Sequence, residues 1–201
     1  MTEYNYTFTQ DWSHILSKTS NLIASNKLNE AEVILLETLK EDTNSPSLLN
    51  AYGVLLQMQE KFLESIEIFK KAASLSPRDY SIWFNLAITY TKSGNFTSAL
   101  ESFDHSLSLD EMNLAALHAK SQIYINLKDY KSALDMVDKA LYFAPKNLNF
   151  LKSKSIILRH LGRYPDLIEI LNLISSLDPS DEEIKKTLIE INKAISATAT
   201  Q

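Results

Sequence analysis

Large apolar and small residues recur along this chain at intervals of 34 positions. One column of large apolar residues consists of Ile15, Leu49, Trp83, Leu117 and Leu151. A column of small residues in the last four copies consists of Gly53, Ala87, Ser121 and Ser155. A third column consists of Leu35, Phe69, Phe103, Val137 and Leu171. A fixed period of roughly 20 to 50 residues is typical of repeat architectures, so we predict five copies of one structural unit.

The third copy shows what one unit contains. Residues 80–92 place Trp83 and Tyr90 on one face, which is the spacing of an amphipathic helix. Gly94 follows at a point where a left-handed residue would end that helix. A second helix is predicted over about residues 96–108. Its inward face would consist of Ala99, Leu100, Phe103 and Leu107.

A column of short polar residues supports this register independently. These residues are spaced by 34 throughout and are all of the types that cap helix N-termini: Asp11, Ser45, Asp79, Asn113, Asn147 and Asp181. Pro46 follows Ser45 at a first helical position, where its missing N–H costs nothing. Ser180 and Glu183 offer an alternative capping box, which would move the last helix start by one residue.

The order of large apolar, small, Tyr, Ala, Phe and Pro positions resembles the tetratricopeptide repeat. The residues that match its signature directly are Trp83, Leu86, Ala87, Tyr90, Ala99, Phe103 and the column of Pro77. Two copies depart from the pattern, since Lys120 and Lys154 stand in the column of Leu86. We expect their stems to lie on apolar surface with the ammonium groups in water. The fifth copy also departs, with Leu167 in the Ala column and Pro165 just inside its second helix.

The predicted fold class is all-α: a right-handed α-solenoid of five helix-turn-helix repeats plus a C-terminal capping helix. A single helix pair cannot bury its apolar face, whereas a stack of five can. The predicted repeats, which together cover residues 11–180, are about 12–45, 46–79, 80–113, 114–147 and 148–181. The capping helix, residues 181–197, carries one apolar stripe of Ile184, Leu188, Ile191 and Ile195. Residues 1–10 and 198–201 are predicted to be frayed tails.

Composition narrows the function classes. The net charge of -5 weighs against a general nucleic-acid binder, and we predict no nucleic-acid partner. No apolar run approaches the ~18 residues of a membrane helix, so we predict no membrane insertion. The first residues show neither a basic nor an apolar signal region, so we expect no secretory signal. The absence of Cys fits a reducing compartment, and we expect a cytoplasmic protein.

The sequence lacks the motifs that mark metal-binding, phosphate-binding and catalytic sites. The four histidines, His14, His105, His118 and His160, have no i,i+3 or i,i+4 spacing among them, so we predict no metal site. Three isolated glycines cannot form a phosphate-binding loop, and no serine has a nucleophile-elbow context. We therefore predict no catalytic residues, no cofactor and no enzymatic activity. His105 is expected on the solvated side of a second helix.

The resemblance implies that the first helix of each pair lines a concave groove that receives a partner peptide. The groove residues predicted from the stripe beside the packing stripe are Asn50, Val54, Gln57, Phe84, Ile88, Thr91, His118, Gln122, Ile125, Lys152, Ile156 and Arg159. The middle of this stripe, around Phe84 and Ile88, is apolar, and its C-terminal end is basic, with Lys152, Arg159 and the neighbouring His160. Our hypothesis is a protein or peptide partner with an apolar anchor followed by acidic residues or a terminal carboxylate.

The predicted function is a non-enzymatic protein–protein interaction module, acting as scaffold, adaptor or assembly factor. The chaperone-binding branch of the resembled family holds a terminal carboxylate with a Lys/Asn/Lys/Arg clamp. At the corresponding positions this chain has Asn50, Val54, Asn85, Ala115 and Ala119, and only Asn85 matches. An adaptor of that kind is therefore disfavoured. The alternatives are a client-shielding secretion or assembly chaperone, a regulatory subunit of an enzyme, and self-association.

Overall fold

In a computed structural model, residues 11–198 are described and contain helices but no strand. The helices are α1 Ser13–Ala24, α2 Leu28–Glu41, α3 Pro46–Met58, α4 Phe62–Leu75, α5 Tyr80–Lys92, α6 Phe96–Leu109, α7 Leu114–Asn126, α8 Tyr130–Phe143, α9 Leu148–His160, α10 Tyr164–Leu177 and α11 Glu182–Thr198. The all-α prediction is confirmed. The predicted bounds of α5 agree with the structure, and α6 ends one residue later than predicted.

The chain divides into two compact units, Met1–Leu109 and Asp110–Gln201. Unit 1 contains α1 to α6, and unit 2 contains α7 to α11. Within each unit, consecutive helices pack on one another, and the two helices of one repeat form the main contacts. We call the odd-numbered helices α1, α3, α5, α7 and α9 first helices, and their even-numbered partners second helices.

Small residues bring paired helices close together. At Gly53 in α3, an added Cβ would lie 2.7 Å from an atom of the Phe69 ring in α4. The Phe69 side chain is fully buried, in a core that also contains Leu49, Ile66 and Leu86. In unit 2 the corresponding second-helix positions hold the buried Val137 and Leu171. Large and small columns therefore interlock as the sequence predicts.

The turn inside every helix pair uses one left-handed residue. These residues lie 34 positions apart and have φ of 57° at Asn26, 60° at Glu60, 80° at Gly94, 60° at Lys128 and 69° at Gly162. In the third repeat, the N–H of Gly94 donates to Thr91 and that of Asn95 donates to Tyr90. The same pair of bonds closes the other four first helices, which makes each of them a Schellman motif.

The N-cap prediction holds at five of its six positions. Ser45, Asp79, Asn113 and Asn147 accept backbone N–H groups in the first turns of α3, α5, α7 and α9. Asp181 accepts the N–H of Ile184 at 3.1 Å in the first turn of α11. Asp11 lies one residue before the cap position, which Trp12 occupies because α1 begins at Ser13, but its Oδ1 still accepts the N–H of Ser13 at 2.9 Å.

The two departing lysines behave differently from the expectation. Lys120 is only 5% exposed, and its Nζ lies 5.9 Å from the centre of the Tyr124 ring, so the prediction of an ammonium in water is wrong there. Lys154 forms an ion pair with Asp138 of α8, with 2.7 Å between Nζ and Oδ1. A lysine in the column of Leu86 is thus accommodated by side chains at other positions of the repeat, which the column itself does not reveal.

The fifth repeat and the last helix complete unit 2. Leu167 is fully buried in the Ala column, and Pro165 lies in the first turn of α10, where a helix tolerates it. Helix α11 packs on α10 and buries Ile184, and it extends to Thr198, one residue past the predicted end. The side chain of Ile195 and the predicted tails, apart from Thr198, lie outside the described residues.

No helix in the described part of the chain is long and apolar enough to cross a membrane. Within the same residues there is no group of three or more metal-ligating side chains.

Candidate partner-binding face

The first helices of unit 1 lie side by side. Helix α3 contacts both α1 and α5, whereas the second helices α2, α4 and α6 make no comparable contact with one another within residues 11–109. Elements that lie closer together in a stack are on its inner side. We therefore define the first-helix face of unit 1 as the outward surface of α1, α3 and α5. The corresponding face of unit 2 is formed by α7 and α9.

Polar side chains join α3 to α5 on this face. The Asn85 amide donates from Nδ2 to the Oδ1 of Asn50 at 3.0 Å, and both side chains are half-buried. Deeper in the contact, Gln57 donates from Nε2 to the hydroxyl of Thr89 at 2.7 Å. Gln57 is only 8% exposed. The structure thus places this predicted groove residue between the helices, where its amide stabilises their contact.

Apolar side chains flank the asparagine pair. Val54 follows Asn50 by one turn of α3, and Phe84 and Ile88 lie beside Asn85 on α5. All three apolar side chains are half-buried. The Phe84 ring meets the buried Phe103 ring edge-on, with 6.0 Å between their centres. The hydroxyl of Thr91 donates to the carbonyl of Ala87 within the same helix. This part of the face is therefore apolar, uncharged and anchored to the core.

Unit 2 carries a notch between the starts of α7 and α9. Its cavity of about 420 Å³ is lined by Leu114, Ala115, His118, Asn147, Asn149, Phe150, Lys152 and Ser153. The exposed His118 packs edge-on against the Phe150 ring, with 5.9 Å between centres. Gln122 lies one turn further along α7, with its amide nitrogen 3.5 Å from the His118 ring, and Ile125 is half-buried.

The basic end of the predicted stripe is less open than its sequence indicates. Lys152 Nζ lies 2.7 Å from the Oδ2 of Asp181, the cap of α11. This hydrogen bond raises the pKa of Lys152 and lowers the pKa of Asp181. His160 stacks on Tyr130, with 4.4 Å between ring centres. Arg159 remains exposed on α9, and Ile156, on the same face, is 49% exposed.

The sequence analysis missed three of these relationships. Asn50 and Asn85 are separated by one repeat plus one residue, a spacing that sets facing side chains on neighbouring first helices, and that signal was present. Asp181 was assigned only to capping and Phe150 was given no role, because nothing in their positions along the sequence indicates contact with Lys152 or His118. The expectation that His105 lies on the solvated side is confirmed, although its ring also stacks on Trp83 at 4.5 Å.

Comparisons with known proteins agree with this description. Two sequence models of the tetratricopeptide repeat match, one over residues 68–101 and another over residues 114–147. These two matched segments, the 34-residue period and the eleven helices in the described residues show that the chain contains tetratricopeptide repeats. A search of curated proteins found no match.

Solved structures share the fold at low sequence identity. A tetratricopeptide repeat protein from Parabacteroides merdae is 22% identical, with a TM-score of 0.72 over 94% of this chain and 75% of that one. MamA is 13% identical, with a TM-score of 0.73 over 85% of this chain and 93% of that one. YrrB, described as a tetratricopeptide repeat protein with an unusual peptide-binding site, is 15% identical, with a TM-score of 0.68 over 88% and 91%.

Proposed function

We propose that this protein is a protein–protein interaction module that binds a segment of a partner protein on its first-helix faces. The observation that carries the proposal is the half-exposed apolar group of Val54, Phe84 and Ile88 on unit 1. Apolar side chains held rigidly beside polar ones are the usual anchors of a binding surface. The repeats themselves and the peptide-binding description of YrrB support the same class of function.

A second contact is proposed on unit 2. Arg159 is exposed on the same face of α9 as Ile156, so it can meet an acidic residue of the partner. Because Lys152 is already paired with Asp181, we assign the acidic preference to Arg159 rather than to a cluster of cations. Such an exposed contact would affect the association rate and its salt dependence more than the affinity.

The test starts from capture of partners on the wild-type protein from source-cell lysate, followed by titration of the purified partner. The groove variant is Ile88→Asn, and the matched control is Leu63→Asn on α4, whose side chain is 81% exposed. Losing a buried anchor costs about 1–3 kcal/mol, so Ile88→Asn should weaken binding roughly 10-fold or more while Leu63→Asn leaves it unchanged. Circular dichroism verifies that each variant stays helical.

If Leu63→Asn weakens binding and Ile88→Asn does not, the binding site lies on the second helices. Equal binding by both variants would remove the first-helix assignment and favour the alternatives. Client shielding would then appear as tight binding with little salt dependence, and self-association as a dimer in sedimentation. If an Arg159→Glu variant binds with the same salt dependence as the wild type, the proposed contact of Arg159 with an acidic residue is wrong, and the rest of the proposed function stands.

A further inference from the structure

An apolar cavity lies between the two helices of the second repeat, away from the first-helix face. Its volume is about 430 Å³, and its lining consists of Tyr52 and Leu56 of α3 with Leu63, Glu64, Glu67 and Ile68 of α4. Tyr52 and Leu56 each lie two residues from Val54, which is roughly 200° around the helix, so the cavity opens on the other side of α3. Leu56 is only 1% exposed, whereas Leu63 is 81% exposed. The cavity therefore combines a buried apolar floor with an open apolar wall.

The repeat does not require the leucine of this wall. None of the other four positions in the column of Leu63 holds a large apolar residue, and all four are exposed: Asn29, Thr97, Lys131 and Pro165. The same helix turn thus forms without an apolar side chain in every other repeat. A partner that covers Leu63 would remove apolar surface from water, and this side chain has no other contact that the fold depends on.

The surroundings of the cavity are acidic. Residues 28–75 contain eight acidic and four basic side chains, so they carry -4 of the net charge of -5. Glu67 already has a cation, since the Nζ of Lys70 lies 3.0 Å from its Oε1. Glu64 is exposed and forms no hydrogen bond or ion pair with another residue within 11–198. A cation of a partner would therefore find an unpaired carboxylate at the edge of the apolar surface.

The Tyr52 ring lies in the same negative environment. Burial raises the pKa of Tyr52 first, and the carboxylates of Glu32 and Glu64 raise it further. Both carboxylates are thus close enough to act on the phenol. An aromatic ring beside an unpaired carboxylate suits a guanidinium, which stacks on the ring and pairs with the carboxylate through two N–H groups. An ammonium lacks the planar shape for both contacts, so arginine is the matching cation.

We propose that this cavity is a second binding site, for a partner segment that carries an arginine beside a large apolar side chain. The apolar side chain lies against Leu56 and Leu63, and the guanidinium pairs with Glu64 beside the Tyr52 ring. A second copy of this chain fits the site less well, because a symmetric contact would bring two acidic surfaces together. The site lies on another side of α3 than the first-helix face, so it goes beyond the proposed function and does not depend on it.

The probe is the peptide acetyl-Ala-Leu-Arg-Ala-amide. It is titrated into the full-length protein with ¹³C-labelled methyl groups, while the methyl signals of Leu63 and Ile68 are followed by NMR. We expect saturable shifts with a dissociation constant on the order of 1 mM. A second peptide with citrulline in place of arginine keeps the shape without the charge, and it should bind about 3- to 10-fold more weakly. A third peptide with asparagine in place of leucine should give no saturable shift.

Three variants make the test specific. Glu64→Gln removes the charge and keeps the shape of the side chain, so it should bind the arginine and citrulline peptides equally. Glu101→Gln, a matched change at an exposed carboxylate of α6, should bind like the wild type. Leu63→Asn, followed at Ile68, should weaken binding about 3-fold or more. If the wild type binds both peptides equally, or if Glu64→Gln still distinguishes them, the proposal is overturned.

The Ile88→Asn variant separates this inference from the proposed function. It should bind the probe like the wild type, because the cavity contains no residue of α5. Loss of the probe in Ile88→Asn would place the peptide on the first-helix face and overturn the second site. A captured partner that Ile88→Asn binds normally would contradict the proposed function alone. Sedimentation tests the other occupant, since a wild-type dimer that Leu63→Asn dissociates would show that a second copy covers the cavity and would also overturn the proposal.

Discussion

Helices α3 and α4 approach so closely at Gly53 that a methyl group does not fit between them. A Cβ at this position would lie 2.7 Å from Cε1, 2.8 Å from Cζ and 2.9 Å from Cδ1 of Phe69. Favourable carbon contacts lie at roughly 3.5–4.0 Å, so a Gly53→Ala variant must move one partner by about 1 Å. The Phe69 ring is fully buried, and the Gly53 carbonyl is held by Ser65. Neither partner is free to move without disturbing its neighbours.

Two opposing effects decide the magnitude. Alanine favours a helix interior over glycine by about 0.5–1 kcal/mol. Overpacking a closed core costs about 1–3 kcal/mol. Because three ring atoms would be too close at once, we expect overpacking to win and Gly53→Ala to destabilise the protein by about 1–2 kcal/mol. A Phe69→Leu change in the same molecule removes ring atoms, so the double variant should be more stable than the sum of the two single effects by at least about 0.5 kcal/mol.

The next repeat offers a matched control. Ala87 occupies the column of Gly53 and is fully buried, and the buried Phe103 occupies the column of Phe69. Ala87→Gly removes a methyl that the structure accommodates and adds backbone freedom, so it should destabilise by about 1 kcal/mol or more. Urea unfolding followed by far-ultraviolet circular dichroism measures every variant. If Gly53→Ala is as stable as the wild type, or if the double variant shows no coupling, close approach at Gly53 is not what the glycine provides.

The remaining predictions use the same unfolding measurement. Lys128→Gly should stabilise by about 0.5–1 kcal/mol, because a left-handed φ of 60° strains a side-chain-bearing residue; an unchanged midpoint would contradict this. Asp79→Ala should destabilise by about 1 kcal/mol through loss of the α5 cap, and an effect near zero would show that water replaces it. The pKa of Asp181 is lowered in the folded state, first by its hydrogen bond with Lys152, so its stabilisation is present above the ordinary carboxyl pKa and is lost as pH falls. Asp181→Asn should therefore lose less stability than the wild type between about pH 5 and pH 3, and parallel pH profiles would refute the linkage.

Helix positions followed from the sequence because the repeat supplies the same local signals five times. The cap column predicted the starts of α3, α5, α7, α9 and α11, since capping is a contact between residues two or three positions apart. Asp11 accepts the N–H of Ser13 but lies one residue before the cap position, because α1 begins two residues after it. The left-handed residue in the turn of each helix pair can be recognised from the sequence only where it is a glycine. Glu60 and Lys128 give no local sign of a left-handed backbone.

The candidate site was predictable only as a stripe. Helical spacing placed Val54, Phe84 and Ile88 on one side of their helices, and the structure leaves all three half-exposed. The same spacing placed Gln57 among them, but its side chain bends into the contact with Thr89. A helical wheel gives the direction of a Cβ, and the reach of a long side chain is decided by partners on the next helix.

The sequence alone determined the period, the helix type and the small-to-large alternation, because these depend on contacts within one repeat and on propensities that act locally. Tertiary structure alone decided which polar groups remain open. Lys152 is paired because α11 brings Asp181 to 2.7 Å, and Lys120 is buried although its column gives no reason for it. Glu64 is left without an ion pair within residues 11–198, while Lys61 reaches across to a carboxylate of α2. Such pairings form only when the distance between two atoms from segments far apart in sequence is right to within a few tenths of an ångström. A linear pattern of residues does not contain those distances.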